Sequence, residues 1–191
     1  MKRRTSIKRL LIFATLGVSS VPIYRWVNSH RIYSPCDFYN KRLILAHLAE
    51  VIIPRTDTPG AKDAKVGDFI ARVMAYCADQ NKQHRFIQGL TKLEKYTIEK
   101  YDTTFENCTS SEQKTIVEHF ERESVYQYHI LNKINDRLFG KSFFSQLKGL
   151  TVEGYCSSMV GATEGLAYDY IPGTYMGCIS MNLNQKSWAT K

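Results

Sequence analysis

The chain has 191 residues, of which 43% are hydrophobic, 23% charged and 12% aromatic, the proportions of one folded domain with at most an appendage. That composition excludes a disordered tail, a collagen-like fibre and a polytopic membrane protein. The net charge of +8 suggests a nucleic-acid partner, but Lys2, Arg3, Arg4, Lys8, Arg9, Arg25 and Arg31 all precede the first acid, Asp37. Taking those seven charges from +8 leaves +1 for residues 32–191, and no nucleic-acid footprint remains.

The basic residues therefore belong to a leader, residues 1–31, ahead of a domain over 32–191. The uncharged run from Leu10 to Ile23 is broken by Gly17 and Pro22. About 14 residues at 1.5 Å each reach roughly 21 Å, short of the ~30 Å hydrocarbon core, so an export signal fits better than a spanning helix. Lys2-Arg3-Arg4-Thr5-Ser6-Ile7-Lys8 resembles the twin-arginine export motif, carried by Arg3, Arg4, Ile7 and Lys8. Lys2 and Ser6 depart from it, standing where a small polar residue and a Phe are commonest. An ordinary secretion signal that happens to contain Arg-Arg is the plainer alternative. No Ala-x-Ala site follows the run, and Val18-Ser19-Ser20 is a weak substitute, which leaves open an uncleaved leader acting as an inner-membrane anchor. Cys36 follows Tyr33-Ser34-Pro35, which is no lipobox. The twin-arginine translocase carries folded proteins, commonly ones loaded with a cofactor, to the periplasm. The rest of the chain should therefore show where a cofactor sits.

Leu43, His47, Leu48 and Val51 have helical spacing, and Pro54 should end that helix. Arg55-Thr56-Asp57-Thr58-Pro59-Gly60 is a turn-rich loop. Val66, Phe69, Ile70, Val73, Met74 and Cys77 form the clearest amphipathic stripe, which predicts Phe69 in the core and Cys77 packed as a small hydrophobe. After a polar joint at Asn81-Lys82, Phe86, Leu90, Leu93 and Tyr96 or Thr97 predict the next helix. Ser110-x-x-Gln113 reads as a capping box for another through Phe120. Tyr128, Leu131, Ile134 and Leu138 mark a further helix before Gly140, and Phe143, Phe144, Leu147 and Leu150 the last. Ala162 to Tyr168 has room for a helical turn or two; the Pro- and Gly-broken stretch from Tyr170 to Cys178 reads as an extended aromatic arm. The expected fold is all-α, about five to six helices with an irregular C-terminal arm.

Chemistry is scarce. A dinucleotide site needs Gly-x-Gly-x-x-Gly between a strand and a helix, and neither is present. Haem c attachment needs Cys-x-x-Cys-His, whereas the cysteines at 36, 77, 108, 156 and 178 are widely spaced. Zinc needs His or Cys pairs at short spacing. His47 and Glu50 share a helix face and read as satisfied surface contacts; Glu118, Glu121 and Glu123 beside Arg122 read as a solvated face. No catalytic, cofactor-binding or metal-ligating set emerges. An export signal suited to cofactor proteins on a chain without one fits an escort of a cofactor-bearing partner.

Leu48-Ala49-Glu50-Val51-Ile52-Ile53-Pro54-Arg55-Thr56-Asp57-Thr58-Pro59-Gly60-Ala61 resembles the N-terminal signature of the gluconate 2-dehydrogenase subunit 3 family. Phe144-x-x-Leu147-Lys148-x-Leu150-Thr151-x-x-Gly154-Tyr155, Ile171-Pro172-Gly173-x-Tyr175-x-Gly177-Cys178 and Trp188-Ala189 resemble its C-terminal ones. Met159-Val160 departs from the family, which more often has an acidic and an aliphatic residue before the glycine. The resemblance implies a non-catalytic small subunit of a membrane-associated periplasmic dehydrogenase. Its large partner would be an FAD enzyme of the glucose–methanol–choline (GMC) type, oxidising a sugar, sugar acid or glycoside, and often passing electrons to a c-type cytochrome. The flavoprotein would be exported on the small subunit's signal.

Tyrosines offer large contact area at small entropic cost, so Tyr155, Tyr168, Tyr170, Pro172, Gly173, Tyr175 and Cys178 are the candidate partner-facing residues. An arm that packs over its own helices is the simpler alternative. Five cysteines in an oxidising compartment leave one unpaired if every bridge is internal and Cys36 stays on the chain. Cys178, beside Gly177 on the arm, is best placed to meet a partner's thiol, with a free thiol or an internal bridge as alternatives. An independent membrane-anchored binding module without a flavoprotein stays open as the second function.

Overall fold

The computed structural model describes residues 32–124 and 141–189, apart from Pro172, Tyr175, Met176, Ile179, Met181 and Asn182. The leader, with Arg3, Arg4, Ile7 and Lys8, and the helix predicted over 128–138 lie outside the described residues. Within them the chain is all-α: α1 (Pro35–Tyr39), α2 (Arg42–Ile52), α3 (Val66–Tyr76), α4 (Gln80–Tyr101), a 3-10 turn (Phe105–Asn107), α5 (Ser110–Ser124), α6 (Phe143–Ser157) and a π-helical turn (Gly161–Gly165). No strand occurs among the described residues, only an isolated parallel bridge between Ala167 and Trp188.

The helix starts follow from local chemistry. Pro35 opens α1 with its fixed φ, and the Ser34 amide donates to the Asp37 carboxylate at 2.9 Å. Asp79 caps α4 by accepting from the Lys82 amide at 2.9 Å, so the polar Asn81-Lys82 joint is the first turn of a longer helix and not a break. The capping box of α5 sits one residue earlier than the sequence suggested. Thr109 and Glu112 exchange the two bonds, at 2.8 and 3.4 Å, and this leaves Gln113 free to turn inward.

The core is built around α6, which touches α2, α3, α4 and α5. Phe144, Leu147, Thr151, Gly154 and Tyr155 form its buried face, and the Thr151 hydroxyl satisfies itself on the Leu147 carbonyl at 2.8 Å. Helix α2 buries Ile44, Leu45, Leu48 and Ala49; α3 buries Val66, Gly67, Ile70, Ala71 and Met74. These two helices cross with their backbones in contact. A Cβ on Gly67 would lie 2.8 Å from the Arg42 carbonyl oxygen and the Ala46 amide nitrogen. The inward face of α3 is thus centred on its small residues, and two sequence expectations shift with it. Phe69 is half-buried, its ring lying over Gly154 of α6, and Cys77 is exposed at the end of α3. Gln83 takes the inward place instead, donating to the Met74 carbonyl at the C-terminal end of α3 at 2.9 Å.

Candidate functional site

Two of the sequence segments singled out above meet at one end of the helical core. The turn-rich loop after α2 is organised by the Glu50 carboxylate, whose two oxygens accept from the amides of Arg55 (3.0 Å) and Lys62 (2.8 Å). Charge-assisted bonds to backbone N–H groups are among the stronger ones, and these two span the loop. Gly60 is required there: a Cβ would stand 2.5 Å from Glu50 Oε1 and 2.7 Å from the Arg55 amide nitrogen. The Asp63 carboxylate accepts from the Gly60 amide at 3.0 Å, and Ala61 is fully buried beneath. Glu50 read from sequence as a surface contact; its real work is to close a loop. The available signal was a carboxylate one turn before Pro54 facing a Gly in the same turn-rich segment.

Tyr155 ties this loop to α6. Its hydroxyl donates to the Pro59 carbonyl at 2.8 Å, and the residue is only 7% exposed. Its place among the partner-facing residues is therefore corrected: the ring belongs to the chain's own core. Beyond it, the Ser158 hydroxyl donates to the Tyr155 carbonyl at 2.7 Å and accepts from the Gly161 amide at 2.9 Å, which opens the π-helical turn.

The C-terminal arm then leaves and returns. Ala167 donates to the Ser187 carbonyl and accepts from the Ala189 amide, both at 2.8 Å, so Ser187 and Ala189 are brought back to the point where the arm leaves. Lys186 reinforces the closure through the Glu164 carbonyl at 2.6 Å. Its charge also reaches the Glu50-organised loop. The Asp57 carboxyl is held below its ordinary range, first by the Thr56 hydroxyl and by backbone N–H groups, and in smaller part by Lys186.

The closed arm displays apolar side chains. Tyr170 is 83% exposed and Ile171 75%, and Tyr168, Leu183 and Trp188 are also exposed. Met159, where the sequence departs from the family pattern, is exposed beside them in sequence. Gly173 is exposed with φ +35°, a conformation glycine suits, and Cys178 is an exposed free thiol. Pro172 and Tyr175 lie outside the described residues. The other cysteines are also free, Cys36, Cys77 and Cys156 exposed and Cys108 buried, where burial pushes its thiol pKa up. Among the described residues, no group of three or more His, Cys, Asp or Glu stands together as a metal site, and no helix is long and apolar enough to cross a membrane.

These features define a small helical protein whose end carries a tightly braced loop and a closed, apolar-tipped arm. The family described as gluconate 2-dehydrogenase subunit 3 matches residues 40–173, and the chain belongs to it. By its name the family supplies a subunit of a dehydrogenase complex. The match takes in the loop, α6 and the start of the arm, and stops short of Cys178 and Trp188. No curated protein and no solved structure matches the chain.

Proposed function

We propose that this chain is the non-catalytic small subunit of a periplasmic, FAD-dependent GMC-type dehydrogenase acting on a sugar, sugar acid or glycoside. In this role it assists folding of the flavoprotein and carries it through the twin-arginine translocase. FAD and the reacting groups belong to the partner. Membership of the family is the observation that carries the reading. Two features support it: the motif at Arg3 and Arg4, and an arm that exposes Tyr170 and Ile171 while the bonds of Ala167 to Ser187 and Ala189 hold its base. Exposed aromatic and aliphatic side chains on a closed loop lose little entropy on docking, which suits a partner contact.

Changing Arg3 and Arg4 together to Lys tests it. This chain and the flavoprotein should both stay in the cytoplasm, seen by fractionation and flavin absorbance. A flavoprotein that still reaches the periplasm would overturn the escort role. Tyr170→Ala with Ile171→Ala probes the arm separately: the chain should fold normally yet lose co-purification with the flavoprotein.

A further inference from the structure

His47 projects from α2 toward three other segments. The Lys62 ammonium of the adjoining loop lies 3.2 Å from each of its ring nitrogens. The side-chain nitrogen of Gln113, on α5, lies 3.4 Å from Nδ1 and donates to the Phe105 carbonyl at 2.8 Å. That second bond fixes the amide's orientation, because only its NH2 can face a carbonyl oxygen. Both neighbours are therefore donors. A neutral imidazole has one nitrogen with which to accept; an imidazolium has none and would place its charge against an ammonium.

The acidic groups facing the ring are Glu50 on α2 itself and Glu106 in the 3-10 turn, and they favour the cation. Burial opposes them first and Lys62 second, and the balance lowers the His47 pKa from 6.5. Lys62 is exposed, but its backbone is held. Its amide is one of the two held by Glu50, and the preceding residue, Ala61, is fully buried. The residue whose ammonium meets His47 is therefore the one whose amide Glu50 holds.

We propose that His47 is a proton-operated release for the loop over residues 54–62: on protonation its ring expels the Lys62 ammonium and loosens the loop from Glu50. The loosened loop then reshapes the surface next to the arm. The sign follows from linkage. A lowered native pKa means that the opened and unfolded states bind the proton more readily. The stabilisation is thus complete above about pH 6.5 and is lost as the pH falls through the lowered native value.

The test uses the full chain and two NMR readouts. The first is the titration of the His47 Cε1–H resonance. Its midpoint should lie below 6.5, the ordinary value, and Lys62→Met should raise it. The second is amide exchange. Protection factors at Ala61 and Lys62 should fall several-fold between about pH 7.5 and about pH 5, a window in which all five histidines titrate, so a His47 variant is the control. They should stay level in His47→Gln, which fills similar space and cannot titrate. A midpoint at or above the ordinary value, a midpoint that Lys62→Met leaves in place, or an equal loss of protection in His47→Gln would each overturn the proposal.

Discussion

Two glycine-to-alanine changes of identical chemistry should move stability in opposite directions. In Gly67→Ala the new methyl would sit 2.8 Å from the Arg42 carbonyl oxygen and 2.9 Å from the Ala46 Cα, both backbone atoms of α2. No rotamer change relieves such a contact; α2 and α3 must part by several tenths of an ångström. Overpacking of this kind costs about 1–3 kcal/mol, and the rigid atoms here put it toward the upper end. Alanine's better helix propensity offsets at most about 1 kcal/mol, so a net loss of about 1–2 kcal/mol is expected. In Gly149→Ala, on the exposed side of α6, the methyl meets nothing within 4 Å. Only the propensity gain of about 0.5–1 kcal/mol remains. The two variants should thus differ by about 1.5–3 kcal/mol. At roughly 2–4 °C per kcal/mol for a chain of this size, they would melt roughly 3–12 °C apart. Urea unfolding followed by circular dichroism, with unchanged m values, would confirm that the native packing is the cause. Gly67→Ala as stable as the parent would refute a backbone-to-backbone crossing of α2 and α3.

Tyr155→Phe removes the hydroxyl on the Pro59 carbonyl and should cost about 1 kcal/mol in urea unfolding, with the amide exchange of the loop speeding up locally. Asp79→Ala removes the α4 cap and should cost about 1 kcal/mol near neutral pH. The Lys82 amide holds the Asp79 carboxyl below its ordinary 3.8, so the native state resists its protonation. The cap's contribution is present above that ordinary value and is lost as the pH falls through the lowered one, so parent and variant should converge in acid. Cys178 is expected to bridge the flavoprotein. A covalent band on a non-reducing gel of freshly thiol-blocked complex should disappear in Cys178→Ser, and its absence from the parent complex would remove the bridge.

Much of the helical framework was legible in the chain because its signals are local. A run of apolar residues three and four apart ends at Pro54, and α2 ends at Ile52. The α3 stripe and the start of α6 at Phe143 follow from the same periodicity, and the family signatures follow from residue order alone. Periodicity gives a face, however, without saying which edge of that face points inward. The crossing at Gly67 decided that, turning Ile70 and Ala71 to the core, half-covering Phe69 and leaving Cys77 in solvent. The site lay further out of reach. Glu50 closes its loop across 12 residues to Lys62, Tyr155 reaches Pro59 across 96, and His47 meets Gln113 across 66. A tyrosine in a C-terminal signature looks the same in sequence whether its hydroxyl waits for a partner or already holds a carbonyl from the other end of the chain. Only the packing of α6 against the loop distinguishes the two, because a buried hydroxyl must find its acceptor inside the same fold.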